Sequence, residues 1–331
     1  MKVVFFQRKP RPHKNFSVEM LFDQVRSYLP SDIEYKIHIA KHYSNGFFNR
    51  LFISIDAMFN QSDVNHVTGD IGFITIFLSG KKTVLTMLDV GSLNDANPIM
   101  KKILQWFWVQ WPVYKASYVT TISEASKKEL LKYINVKHEK KIQIIYVPVS
   151  DQLIYVAKTF NEDCPVILQI GTKQNKNIPR LIEAIKGINC KLEIVGVLNQ
   201  SQLEILELNN ISYRNSVNLS NDELRQKYEE ADLVAFVSTY EGFGMPIVEA
   251  QIVGRPVVTS NILSMPEVAG NGADLVDPFD IESIRNGILR VINDTNYREK
   301  LIKAGKINAE RFSAKDIANQ YAKLYRSLSD K

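Results

Sequence analysis

The sequence predicts an α/β protein built from two doubly wound domains in tandem. Three observations predict it. Short apolar and β-branched runs alternate with helix-like segments along the chain. The alternation breaks near residues 147–152, where Pro148, Ser150 and Asp151 supply turn chemistry, and then starts afresh. A chain of 331 residues is also long enough for about two domains. Such alternation builds a parallel sheet with helices on both faces, because each crossover between parallel strands needs a connection long enough for a helix.

In the first half, strands are expected at 3–6, 34–39, 65–68, 83–88, 118–122 and 142–147. Most are continuous apolar runs, the pattern of strands buried on both faces. Helices are expected between them at 17–28, 48–59, 98–111 and 126–134. In the second half, strands are expected at 166–170, 192–195, 211–213, 233–237 and 257–259, and helices at 178–185, 202–208, 222–230, 246–253 and 281–292. The last segment, 312–328, sets Ile317, Tyr321, Leu324 and Leu328 at helical spacing, so it should dock an apolar stripe on a neighbour.

Composition narrows the class. A 45% hydrophobic and 23% charged chain excludes disorder, collagen and coiled coil as the dominant architecture. No apolar run reaches the length of a membrane span. The opening Met1–Gln7 stretch is too short and too soon basic for a signal peptide. The two cysteines, Cys164 and Cys190, lie in no CxxC and beside no histidine, which argues against a disulfide framework or a zinc site and fits a reducing, cytoplasmic setting. Charge is uneven. Residues 1–150 hold 20 Lys and Arg against 12 Asp and Glu, and the remainder 21 against 24. A basic first half suits an anionic partner or is simply a solvated lysine-rich surface.

The densest constellation is Ser238-Thr239-Tyr240-Glu241-Gly242-Phe243-Gly244-Met245-Pro246-Ile247-Val248-Glu249, closed by Gly254. It follows a buried strand. Two glycines let the backbone turn tightly and approach a ligand. Pro246 suits the first turn of a helix and Gly254 its end. The amides of Gly244, Met245 and Ile247 would face the crevice at the strand's C-terminal end, a place for phosphate. Glu241 and Glu249 are poor phosphate ligands but good acceptors for sugar and ribose hydroxyls at the two ends of a diphosphate. The alternative is a structural glycine turn with two surface glutamates.

The stretch from Glu241 to Glu249 resembles the E-x7-E motif of the retaining glycosyltransferases of family 4, which have the GT-B fold: two Rossmann-like domains facing across a cleft. The run Gly171-Thr172-Lys173-Gln174-Asn175-Lys176-Asn177 is similar to that family's diphosphate-binding loop. Asn221–Leu224 with Tyr228, Ala231-Asp232-Leu233, Ser264–Gly270, Val276–Asp280 and Thr121–Lys127 also resemble its signatures in the right order.

The resemblance implies a first domain of residues 1–148, completed by 312–331, that holds the acceptor, and a second of 152–311 that binds a nucleoside-diphosphate sugar as co-substrate, with no other cofactor. It implies that Glu241 meets donor sugar hydroxyls and Glu249 the ribose. The backbone from Gly242 through Phe243 and Gly244 to Met245 would cradle sugar and diphosphate, and Lys176 would stabilise the leaving group. Thr172 stands where relatives carry an arginine, so Lys173 would supply that part of the clamp. Asn218 and Leu219 lie where the base would pack.

The first domain departs from the pattern. Leu88 stands where many relatives have a histidine before Asp89, and Gly72 occupies a second histidine position. The polar candidates left are His66, Asp70 and Asp89, with Asp89 the catalytic choice; for His66 the other reading is a core histidine at a strand end. Arg11, His13 and Lys14, in a glycine-free basic loop, would hold an anionic acceptor or form a plain exposed turn. Trp106, Trp108 and Trp111 favour a core helix over a membrane interface. With no DxD pair and five scattered histidines, transfer is expected to be metal-independent. The expected function is retaining sugar transfer to a glycan or lipid-linked acceptor in surface polysaccharide assembly. The alternative is a catalytically degenerate, nucleotide-sugar-binding partner or scaffold. Peripheral membrane association and oligomeric state stay open, and no nucleic-acid module is recognisable.

Overall fold

The computed structural model describes residues 1–10, 17–88, 102 and 105–329. The chain divides into two compact units, residues 1–148 with 313–331, and residues 149–312.

The first unit contains the strands β1 (Lys2–Gln7), β2 (Glu34–Ile39), β3 (Val64–Val67), β4 (Thr83–Met87), β5 (Tyr118–Thr121) and β6 (Ile142–Ile144). They form one parallel sheet in the order β2-β1-β3-β4-β5-β6. Its described α-helices in this stretch are α1 (Ser17–Ser27), α2 (Phe47–Met58), α3 (Trp111–Lys115) and α4 (Glu124–Leu131). The central strands are apolar because both faces are covered: Val3, Val4, Phe5, Phe6, Val67 and Leu85 are each at most 1% exposed. The edge strand β2 departs from that rule. It alternates Glu34, Lys36 and His38 with Tyr35, Ile37 and Ile39, and most of it is exposed. The tryptophan segment is a π-helical turn (Trp106–Gln110) leading into α3. Trp108 packs edge-on against Phe73 at 5.1 Å, whereas Trp106 is 47% exposed, so only part of this segment is core.

The second unit contains β7 (Val166–Ile170), α5 (Ile178–Ile185), β8 (Lys191–Val195), α6 (Gln200–Leu208), β9 (Tyr213–Ser216), α7 (Asn221–Glu230), β10 (Leu233–Phe236), α8 (Met245–Val253), β11 (Val257–Ser260), α9 (Met265–Ala269), β12 (Asp274–Val276), α10 (Ile281–Asn293) and α11 (Thr295–Ala309). The sheet is again parallel, in the order β12-β11-β10-β7-β8-β9. Helix starts follow local chemistry. Asn199 with Gln202, and Ser220 with Glu223, form reciprocal capping boxes, and Asp280 and Asp294 accept from first-turn amides. Strand order reverses between β7 and β10, and in open α/β sheets ligands bind beyond the strand ends at such a switch.

The closing helix α12 (Ala314–Ser329) belongs to the first unit. Ile317, Tyr321, Leu324 and Leu328 are all buried, so the apolar stripe read from spacing is the face that docks. It packs on α1 and β3.

Candidate active site

Two loops meet beyond the switch point of the second unit. One follows β7 and the other follows β10. Their closest link is an ion pair: Lys176 Nζ donates to Glu241 Oε1 at 2.6 Å, and each side chain is 16% exposed. The ammonium also lies 4.4 Å from the centroid of the Phe236 ring. Asn175 knits the loops together. Its Nδ2 donates to Glu241 Oε1 at 3.1 Å and to the Tyr240 carbonyl at 2.8 Å, and its own carbonyl accepts from the Thr239 N–H at 2.8 Å.

Backbone conformation makes this meeting possible. Gly171 has φ +88°, and a Cβ there would sit 2.9 Å from Lys176 Cε, so the lysine stem occupies space only glycine leaves. Asn177 takes the left-handed conformation at φ 59°, and its buried side chain donates to the carbonyls of Val237 and Pro278 at 3.0 and 2.7 Å. Gly244, at φ 109°, is the cap residue of α8. Met245 opens that helix, so its N–H has no acceptor within it. Ile247 differs from the sequence reading. Its N–H donates to the Gly244 carbonyl at 3.0 Å and its side chain is fully buried, so it offers no amide to an anion. The Phe243 ring packs edge-on to Phe312 at 5.5 Å and is 4% exposed, leaving only its backbone as a candidate contact. Ser264 Oγ lies 2.9 Å from the Glu241 carbonyl and 2.8 Å from that of Phe243, pinning the backbone on either side of Gly242.

Glu249 sits on α8 with Oε2 accepting from the hydroxyl of fully buried Tyr228 at 2.6 Å. Burial raises the Glu249 pKa above its ordinary value, opposed by the Tyr228 hydrogen bond and the charge of Lys176. Tyr228 itself is pushed well up by burial, then by Glu249, so it is a fixed donor. Lys176 thus acts on both glutamates of the motif.

The other expected donor contacts are more dispersed. Thr172 Oγ1 donates to the Val197 carbonyl at 2.6 Å, tying the loops after β7 and β8, and Lys173 is exposed. Asn218 is exposed in a left-handed turn after β9, and Leu219 is half-buried beside it. No described hydrogen bond links either to the Glu241 cluster.

In the first unit, His66 is a correction to the acceptor-side assignment. It is fully buried, its Nδ1 2.7 Å from the Tyr325 hydroxyl and its Nε2 2.7 Å from Thr86 Oγ1, among the rings of Phe5, Phe22 and Tyr321. Burial, then Arg26, lowers its pKa to about 3, so it is a neutral structural bridge to α12. Asp70 is exposed at that unit's own switch point, 3.4 Å from Arg8, which also donates to Glu19 at 2.9 Å. Asp89, Arg11, His13 and Lys14 lie outside the described residues. Sequence reasoning missed the positioning roles of Asn175, Asn177, Ser264 and Tyr228; Asn175 and Asn177 bracket Lys176 in the quoted loop, but nothing in their spacing reveals the partners.

Residues 152–308 match the family model described as glycosyl transferases group 1. The chain is 28% identical over 238 residues to O-antigen chain mannosyltransferase B of Escherichia coli, covering 64% of this chain and 61% of that protein. It is 26% identical to O-antigen chain mannosyltransferase RfbU of Salmonella typhimurium, again over 64% of this chain and 61% of that one. The chain therefore spans about three-fifths of the length of these relatives. Among solved structures, Anabaena Alr3699/HepE in complex with UDP and glucose superposes with a TM-score of 0.78 at 17% identity, covering 99% of this chain and 100% of that one. Sucrose-phosphate synthase from Thermosynechococcus elongatus gives 0.79 at 16% identity, covering 99% of each. Residues 152–308 are thus similar to glycosyl transferases group 1, and the chain as a whole has the GT-B fold of these solved proteins.

Proposed function

We propose that the chain is a retaining glycosyltransferase that moves a sugar from a nucleoside diphosphate to a hydroxyl of a glycan or lipid-linked acceptor, in surface polysaccharide assembly. The observation that carries this is the Lys176–Glu241 pair at the switch point of the second unit. A cation there suits the diphosphate, and the carboxylate beside it suits the sugar hydroxyls. Because both O-antigen relatives are mannosyltransferases by name, a nucleotide-activated mannose is the first donor to test.

In the proposed reaction, the bond between the anomeric carbon and the phosphate oxygen breaks as the acceptor hydroxyl adds from the same face. The departing phosphate oxygen takes the acceptor proton, so no protein base is required. Lys176 and the Met245 amide would stabilise the charge that builds on that phosphate, and Glu241 would orient the sugar. Glu249, with one oxygen held by Tyr228, would receive the ribose hydroxyls. No residue of this scheme is a metal ligand.

Leu88 in place of a histidine and the burial of His66 favour a second reading, a donor-binding partner without turnover. An assay of nucleoside diphosphate release separates the two. Slow release that disappears in Glu241→Ala supports the transferase. Tight donor binding with no release or transfer across acceptors supports the partner.

A further inference from the structure

Strand β2 (Glu34–Ile39) is the outer strand of the first unit's sheet, and among the described residues no strand lies beyond it. Two hydrogen bonds fix its inner side. The Glu34 N–H donates to the Met1 carbonyl and the Ala40 N–H to the Gln7 carbonyl, both at 2.9 Å. In a strand the N–H and C=O of one residue point the same way, and successive residues point opposite ways. Glu34, Lys36, His38 and Ala40 therefore serve β1, whereas Tyr35, Ile37 and Ile39 turn their backbone groups outward. These three side chains also share one face of the sheet, where the Tyr35 ring stands edge-on to Phe5 at 6.2 Å. They are 47, 38 and 49% exposed.

Edge strands are ordinarily shielded by shortness, proline, a bulge or charge. Strand β2 is six residues long, has no proline and runs in unbroken register with β1. Its outward pattern is palindromic about Ile37. Under a two-fold axis there, Ile37 meets Ile37 of a second copy and Tyr35 meets Ile39 on either side. Because these residues turn outward, each is a hydrogen-bonded pair, and every open N–H and C=O of the three gains a partner. The apolar stripes of the two copies then run on into one another. On the other face, Lys36 falls opposite His38 of the second copy, whose Nε2 lies 2.7 Å from Asp56 Oδ2, so the ammonium approaches a ring backed by a carboxylate. A slip of one residue would set outward groups against inward ones.

We propose that β2 pairs antiparallel with β2 of a second copy of this chain, joining the two sheets edge to edge across an axis at Ile37. A two-fold contact presents the same patch from both sides, so it needs a self-complementary one, and the palindrome about Ile37 supplies it. An unrelated extended segment could use the open backbone, but it would not be matched to Tyr35, Ile37 and Ile39 in this way. One strand from each copy makes a small interface, so the dimer should be reversible. The pairing is independent of the reaction proposed above.

The test is sedimentation of the full chain from low micromolar to near-millimolar concentration, with hydrogen exchange over residues 34–40 at the same concentrations. The parent should pass from monomer to dimer, and the amides of Tyr35, Ile37 and Ile39 should exchange more slowly as it does. Ile37→Lys sets two ammonium groups against each other at the axis and should weaken the dimer at least about tenfold. Ile37→Pro removes an outward N–H that β1 does not use, so the sheet should keep its circular dichroism while the dimer is lost. A parent that stays monomeric at every concentration, or a dimer that both variants leave intact, would overturn the proposal. So would exchange over residues 34–40 that ignores concentration, a readout that needs no variant to fold.

Discussion

Lys176 Nζ and Glu241 Oε1 lie 2.6 Å apart although they are 65 residues apart in sequence. Each belongs to a loop after one of the two strands that flank the switch point, so sheet order alone brings them together. Truncating either leaves the other half-buried charge without its partner, which should cost about 1–3 kcal/mol of stability. Lys176→Ala should lower kcat far more than it raises KM for the acceptor, because the cation is needed most where phosphate charge develops. Steady-state kinetics alongside thermal melts would show both effects.

Gly171 leaves the space that the Lys176 stem fills. Gly171→Ala strains the backbone at φ +88° and puts a methyl 2.9 Å from Lys176 Cε. The expected outcome is loss of most donor affinity, of order tenfold or more, with the fold retained by circular dichroism. Retained donor affinity in that variant would mean that the lysine position is unimportant.

Glu249 has a raised pKa because it is buried, and Tyr228 opposes that rise. If the ionised carboxylate receives ribose hydroxyls, kcat/KM rises with pH as Glu249 deprotonates. Tyr228→Phe removes a hydrogen bond to the charged form, so the acidic limb should move to higher pH. Folding stability carries the opposite sign. A carboxyl with a raised native pKa binds more protons folded than unfolded, so its contribution is lost as pH climbs from the unfolded value through the native one.

His66 gives a stability prediction with no kinetic counterpart. Its native pKa is about 3 against 6.5 in the unfolded chain. Between those values the unfolded chain binds the extra proton, so stability falls as pH falls, by up to about 1.4 kcal/mol per pH unit. His66→Phe should flatten that slope in urea melts from pH 6.5 towards 4, and leave transfer per folded molecule within about twofold at neutral pH.

The parts of the molecule that sequence reading found are those where one physical signal dominates. Strands β7 and β10 are short apolar runs buried on both faces, and the loops after them carry glycines and charges that a ligand site needs. Where signals mix, reading fails. Strand β9 falls at Tyr213–Ser216 rather than 211–213, since its polar Arg214 and Asn215 sit at a sheet edge. The three-residue strand β12 holds Asp274, which Arg290 clamps at 2.6 and 3.0 Å, so its charge hid it. Helix α11 was missed because its polar residues mask the small buried stripe of Leu301, Gly305 and Asn308. His66 stays open in the sequence between an acceptor-side residue and a core histidine, because sequence shows chemistry but not depth. Only the docking of α12 reveals that its polar partner, Tyr325, comes from the other end of the chain.

The most direct measurement is calorimetric titration of the protein and its Lys176→Ala and Glu241→Ala variants with nucleoside diphosphates and their mannose and glucose esters. If the two loops hold a diphosphate sugar, Lys176→Ala loses affinity for diphosphate and ester alike, whereas Glu241→Ala keeps the diphosphate and loses the increment the sugar adds. Equal affinity in all three proteins, or no heat with any of these ligands, would contradict it.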